Sequence, residues 1–182
     1  MKRAIVAPPV LSPAALGELK AWLGVTTAHD DAELLALLGA ALDLCEGFTG
    51  TMPLEAGCED VLPARAAWQA LSARPVQAIT ALAALAIDGS RRPLDPTDYE
   101  LDLGADGTGR LRLLAPVGEG RIVAGYTAGL SPDWAGLPEA LRQGLVRLAA
   151  FQHRERDSGG ASPLPPAAVS ALWRPWRRVR VA

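Results

Sequence analysis

Tyr99-Glu100-Leu101-Asp102-Leu103-Gly104-Ala105-Asp106-Gly107-Thr108-Gly109-Arg110-Leu111-Arg112-Leu113-Leu114 is a pair of alternating segments around a turn. Residues 99–103 and 110–114 place polar and apolar side chains at the period of a strand with one buried face. Asp106-Gly107 between them supplies the positive backbone angles that a tight hairpin needs. The stretch predicts a β-hairpin, and its neighbours extend the pattern. Ala78–Ala86 is rich in alanine, which favours helix, yet Pro75 and Asp88-Gly89 bound it at strand length, and it is predicted as a strand. Arg121-Ile122-Val123-Ala124-Gly125-Tyr126 is a further strand. From Met52 to Leu130, prolines and glycines punctuate short apolar runs throughout.

Outside this region the period changes to that of helices. Ser12-Pro13 matches an N-cap followed by a first-turn proline, and Leu16, Leu19, Ala21, Trp22 and Leu23 carry a helix to Gly24. Asp30 with Glu33 three residues on marks a second start. Leu34, Leu38, Ala41, Leu42, Cys45 and Phe48 then recur at helical spacing to Gly50. Leu35, Leu37 and Leu44 widen that stripe beyond one face, so this helix is either deep in a core or shared with a neighbouring subunit. Pro138 opens a third helix striped by Leu141, Leu145, Leu148 and Phe151, with Arg142, Arg147 and Arg154 elsewhere around it. Asp157–Pro163 is a flexible break, followed by a short helix, Pro166–Trp173, and a tail. The expected class is α+β: a small helical bundle with a β-rich insert between the second and third long helices, and a C-terminal short helix plus extended tail. Residues 1–51 are assigned as helical, 52–131 as the insert, 132–157 as the long helix, and 158–182 as linker, short helix and tail, within one domain.

The chain has 182 residues, 49% hydrophobic and 21% charged, the balance of a globular chain that buries a core without metal or disulfide staples. No apolar run reaches the ~20 residues of a membrane span. Pro8-Pro9 interrupts Met1-Lys2-Arg3-Ala4-Ile5-Val6, which argues against a signal peptide. Cys45 and Cys58 are expected as small core residues rather than a bridge. The net charge of −2 hides an asymmetry: residues 1–137 carry 10 Lys+Arg against 17 Asp+Glu, while residues 138–182 carry 8 Arg against 3 acids. A basic end of this kind is suited to an acidic partner, protein or nucleic acid.

Catalytic patterns are absent from the sequence. His29 stands beside Asp30 and Asp31, and His153 lies in a run of Arg and Glu; both are expected at the surface. No Cys-x-x-Cys, His-Glu-x-x-His, phosphate-loop or nucleophile-elbow motif occurs. Gly104–Gly109 is glycine-rich, but a strand follows it where a phosphate loop would open a helix, so a hairpin turn is expected. The acids Asp95, Asp98, Glu100 and Asp102 could be grouped as a metal site, but alternation on a solvated strand face explains Asp98, Glu100 and Asp102 without a metal. No cofactor is expected and no enzyme activity.

Leu172-Trp173-Arg174-Pro175-Trp176-Arg177-Arg178-Val179-Arg180-Val181 is of another kind. Trp and Arg are the residues most enriched at interface hot spots, and the same composition binds single strands by stacking and phosphate contact. Three fates are open to it: docking on a partner protein, packing of Trp173 and Trp176 on the chain's own core, or nucleic-acid binding.

Taken in order, the elements resemble the head–tail connector (adaptor) proteins of long-tailed phages and gene transfer agents. The likeness runs through Leu16–Val25, Asp30–Leu35, Ala41–Gly50, Ala73–Val76, Tyr126–Gly129, Leu137–Leu141 and Leu164–Arg177, where relatives often carry Pro-Tyr-Arg in place of Pro175-Trp176-Arg177. The resemblance implies a structural protein of a virion or phage-like particle at the head–tail junction, made in a bacterial cytoplasm. It implies a homo-oligomeric ring of about twelve copies under the portal protein, extending the channel for double-stranded DNA toward a stopper or tail-completion protein, with no membrane contact. The family's portal contact points to Trp173, Arg174, Trp176, Arg177, Arg178 and Arg180, and the broad apolar face of the second helix points to Leu35, Leu37 and Leu44 as ring contacts.

Overall fold

A computed structural model describes residues 2–155 and 165–177. The chain divides into two compact units, residues 1–9 with 55–129 and residues 10–54 with 130–182. The α+β class and the insert between the second and third long helices are present as expected.

The first unit holds eight strands: β1 (Lys2–Ala7), β2 (Ala56–Pro63), β3 (Gln69–Ala70), β4 (Val76–Leu85), β5 (Arg91–Pro93), β6 (Tyr99–Leu103), β7 (Gly109–Leu113) and β8 (Arg121–Ala128). One sheet has the order β1-β2-β8-β4-β5 and the other β3-β7-β6, every pairing antiparallel. The expected hairpin is β6–β7, with Leu101 opposite Leu111 and Tyr99 opposite Leu113. The alanine-rich segment is strand β4, its pairing with β8 overriding the helical preference of alanine. Inward positions of β2 and β8 alternate with outward ones, so Ala56, Cys58, Leu62, Ile122, Ala124 and Tyr126 fill the interior with Leu111 and Leu113 of the smaller sheet. Gly107 has φ 77° at the hairpin tip, and a Cβ there would lie 2.5 Å from Pro75 Cβ. Only glycine satisfies both the turn and that approach.

Lys2–Ala7, assigned by sequence to the helical segment, is instead the edge strand of the larger sheet. Its partner lies more than fifty residues away, with Ile5 opposite Cys58, and nothing local announces it.

The second unit holds α1 (Pro13–Leu23), α2 (Asp31–Thr49), α3 (Glu139–Glu155) and α4 (Ala167–Trp173). Ser12 and Asp30 occupy the N-cap positions, but neither side chain makes a cap hydrogen bond. Leu34, Leu38, Ala41, Leu42 and Cys45 of α2 are buried together with Leu19 of α1, Leu141, Leu145 and Leu148 of α3, and Trp134. Gly24 and Gly50 end α1 and α2 with positive φ. The expected break at Asp157–Pro163 lies outside the described residues.

Cys45 and Cys58 are free and buried. Burial pushes the Cys45 thiol from 9.0 up to about 12, against a hydrogen bond with Thr49 that lowers it. Burial likewise pushes the Tyr126 hydroxyl from 10.0 up to about 12. In both cases the native state keeps a proton that the unfolded chain sheds, so stability falls as pH rises through that window. Guanidinium unfolding is expected to give a midpoint that declines from about pH 9 upward. Tyr126→Phe removes the share of the decline that begins near pH 10. A flat midpoint between pH 9 and 11 in the parent chain contradicts this.

Candidate functional site

The C-terminal end is built onto the helical unit from Pro165 onward. Ser170 donates its backbone N–H to the Pro166 carbonyl at 2.9 Å and its hydroxyl to the Pro165 carbonyl at 3.3 Å, closing the first turn of α4. Val169 and Trp173, four residues apart on α4, are both buried. Arg174–Trp176 continues as one 3-10 turn, which Pro175 opens and the Arg177 N–H closes on the Arg174 carbonyl at 3.1 Å.

Trp173 is 0% exposed. Its indole N–H points to the Leu141 carbonyl at 3.4 Å, and its ring lies 6.1 Å from that of Phe48, tilted by 51°. The ring occupies the space over Gly144 of α3, where a Cβ would collide with the indole nitrogen. Of the residues assigned to partner docking, Trp173 is therefore part of this chain's own core, and Trp176 packs half-buried on the same cluster. Arg174 and Arg177 are exposed. The Arg177 guanidinium stands 5.4 Å from the centre of the Phe48 ring, a stacking that leaves its donors available to an acceptor. Arg178 and Arg180 lie outside the described residues. The end of the chain thus offers cationic groups fixed on a buried aromatic anchor.

On α2, Leu37 packs against the unit's own core, Leu35 is half-buried, and Leu44 is 38% exposed. The sequence missed Gly144 as the socket of Trp173, although a glycine inside a long helix, costing about 1 kcal/mol relative to alanine, is the one local signal for it. It also missed two arginine contacts. Arg142 of α3 reaches Glu18 of α1 at 3.5 Å and pairs with Glu139, and Arg147 stacks 5.2 Å from the Trp22 ring.

The loop at Gly104–Gly109 is a hairpin turn. Gly104 N–H bonds the Thr108 carbonyl and Gly107 N–H the Gly104 carbonyl, while the Asp106 carboxylate accepts from the Thr108 N–H and hydroxyl. Those backbone donors are taken within the turn. Glu100 pairs with Arg112 at 2.5 Å, and Asp95 accepts from Thr97, whose N–H and hydroxyl hold the carboxyl below its usual range. Among the described residues no three His, Cys, Asp or Glu side chains are grouped to hold a metal, and no helix is long and apolar enough to cross a membrane. His29 is exposed and His153 half-buried.

No protein-family model and no curated protein matches the chain. Solved structures do. A chain in the neck of an empty gene transfer agent particle, computed with C6 symmetry, is 30% identical with a TM-score of 0.80, over 100% of this chain and 98% of that one. A chain in the virion of a native gene transfer agent particle is 29% identical with a TM-score of 0.78 over the same shares. A chain in the neck of a native particle, computed with C12 symmetry, is 29% identical with a TM-score of 0.69, over 98% of each chain.

Proposed function

The chain belongs to the head–tail connector (adaptor) family of long-tailed phages and gene transfer agents, and from that premise we infer that it is a ring-forming adaptor under the portal of a phage-like particle. The observation that carries this is full-length similarity, at 30% identity, to a chain in a gene transfer agent neck. Its role is structural, and its place is the head–tail junction of the particle. About twelve copies would close around the axis through one heterologous interface repeated between neighbours. The ring extends the channel for double-stranded DNA and passes the particle's load to a stopper or tail-completion protein. The net charge of −7 over residues 1–137 suits a conduit through which DNA moves without sticking.

The portal contact falls to Arg174, Trp176 and Arg177, continued by Arg178 and Arg180, with Trp173 as the buried anchor that holds them. Exposed guanidinium groups on a fixed turn are suited to carboxylates on a partner surface. Leu35, Leu37 and Leu44 remain the ring candidates on α2, with Leu44 the most accessible of them.

Native mass spectrometry of the chain with the portal protein of its own particle tests this. Full-length chain is expected to add to the portal as a ring-sized complement. A chain ending at Arg177, or one carrying Arg174→Glu with Arg177→Glu, is expected to bind about tenfold or more weakly, the loss of one or two good charge-assisted contacts, while keeping its melting temperature. Full-length chain that never associates with the portal overturns the adaptor reading. Equal binding by all three chains moves the portal contact elsewhere.

A further inference from the structure

The larger sheet of the β-rich unit has two open edges, and they match one another. From Gln77 to Ala81, β4 is paired on one side only, by β8. β5 covers just Ala83–Leu85, and the Leu94 N–H closes on the Leu82 carbonyl. Gln77, Ala78, Thr80 and Ala81 are exposed and Ile79 is half-buried. From Val76 to Ile87 the sequence has no charge and no proline, two of the usual guards of a free edge, although β4 is bulged at Val76/Ala78 and Ile79/Ala81. At the other end of the same sheet, β1 is paired by β2 alone. Its Ile5 and Val6 are 42% and 57% exposed.

Beside the open stretch of β4 lies an uncovered apolar lip. The turn after β6 is tied to the start of β4 through Val76 N–H to the Gly107 carbonyl. The chain reaches the other end of β6 from Leu94, bonded to Leu82, through residues 95–98. Leu101 and Leu103 stand opposite Leu111 and Gly109, so they share the face on which Leu111 is buried. Yet they are 40% and 51% exposed. Ile79 stands opposite the buried Tyr126 and so faces the same interior. One more strand on the β4 edge would cover Ile79, Leu101 and Leu103 together.

We propose that this missing strand is β1 of a second copy of the chain, so that the larger sheet continues from subunit to subunit around the ring. Direction, side-chain parity and charge agree with it. Three antiparallel steps separate β1 from β4, so the two run in opposite directions. A rotation axis along the strands leaves that relation unchanged, and the new junction is antiparallel like every other in the sheet. Arg3 and Ile5 stand opposite the buried Asp60 and Cys58, and therefore point to the interior face. In antiparallel register Ile5 arrives over Leu101, and Arg3 arrives at the Leu82 end, where Asp95 and Asp98 follow Leu94. The register shifts of β4 at Val76/Ala78 and Ile79/Ala81 bend the strand, as a curved wall requires. Four strands per copy at ~4.8 Å give ~19 Å of wall, and twelve copies give a closed belt about 75 Å across. One of the matched necks was computed with that twelvefold symmetry.

The inference rests on the ring reading above, and the test separates the two. Ile5→Cys and Leu101→Cys are introduced together, and the chain is assembled on its portal and oxidised. Cys45 and Cys58 are buried and stay out of the reaction. A ladder of covalent oligomers reaching ring size is expected from the double variant, and no ladder from either single variant. Ile5→Glu is expected to lower the ring population about tenfold or more, since each junction would bury an unpaired charge, while the melting temperature of the unassembled chain stays that of the parent. A complete ring without cross-linking and insensitive to Ile5→Glu overturns the shared sheet and leaves the adaptor reading standing. Absence of a ring from the parent chain overturns both.

Discussion

Trp173→Ala is expected to destabilise the helical unit by about 3–5 kcal/mol, the range for truncating a large buried aromatic. The indole is fully buried, seated over Gly144, and bonded to the Leu141 carbonyl. Little can collapse into the void, because the floor is helix backbone at a glycine. A domain's whole stability is about 5–15 kcal/mol, so the loss reaches a large fraction of it. Gly144→Val produces the matching defect from the other side: its side chain takes the space of the indole, and Trp173 must leave with α4. Overpacking of this kind costs about 1–3 kcal/mol or more. Denaturant unfolding followed by tryptophan fluorescence measures both. The pattern across variants carries the meaning. Trp173→Ala and Gly144→Val should lose stability and portal binding together, whereas Arg174→Glu should lose binding alone. A Trp173→Ala chain as stable as its parent would remove the anchor from this account.

How much of this was legible in sequence depended on the range of the interactions involved. The hairpin at 99–114 and the stripe of α2 were readable because their signals are periodic and local. Strand β4 was readable from its bounding Pro75 and Asp88-Gly89 in spite of its alanines. β1 was not, since Lys2-Arg3-Ala4-Ile5-Val6-Ala7 has no alternation and becomes a strand only by pairing with residues 57–61. Ser12 and Asp30 were correctly placed as N-caps, but the capping bonds their side chains offer are not made; Pro13 and the buried stripe of α2 suffice to start the helices. The C-terminal site was half legible. Tryptophan and arginine are enriched at interfaces, yet a buried core uses tryptophan for the same reason, its large apolar area. Composition could not divide Trp173 from Trp176; the position of Gly144 on a facing helix does. The open lip of Leu101 and Leu103 was invisible for a related cause. Alternation in β6 says that they face inward and is silent on whether anything lies above them.

Asp60→Ala is the second large effect, expected to cost about 1.5–3 kcal/mol in the β-rich unit through the lost charge-assisted bonds to Ser72. Asp60 is an inward residue of β2 with 0% exposure, where burial of a carboxylate is costly unless it is bonded. Its two oxygens accept the Ser72 N–H at 2.7 Å and the Ser72 hydroxyl at 2.6 Å. Because that hydroxyl proton is directed to Asp60, the contact of 3.2 Å between Ser72 and Tyr126 is a bond donated by the tyrosine. The tyrosine oxygen in turn accepts the Ala73 N–H at 3.2 Å. The hydrogen-bond chain runs from Ala73 through Tyr126 and Ser72 to the acceptor Asp60, and it fastens the segment between β3 and β4 to the inner face of the larger sheet. Removing the terminal acceptor takes both charge-assisted bonds from the half-buried Ser72 and leaves its hydroxyl only the Tyr126 contact. Asp60→Asn retains an acceptor oxygen and is expected to cost less than the alanine change. Tyr126→Phe leaves the Ala73 N–H unsatisfied, at about 1–3 kcal/mol. A double-mutant cycle between positions 60 and 126 decides whether the four groups act as a unit: coupling of about 0.5 kcal/mol or more is expected within one hydrogen-bonded network. Strict additivity would reduce Asp60 to an isolated clasp on Ser72. The segment so fastened leads directly into Val76 and the open stretch of β4. Loss of Asp60 is therefore expected to weaken ring assembly as well as folding.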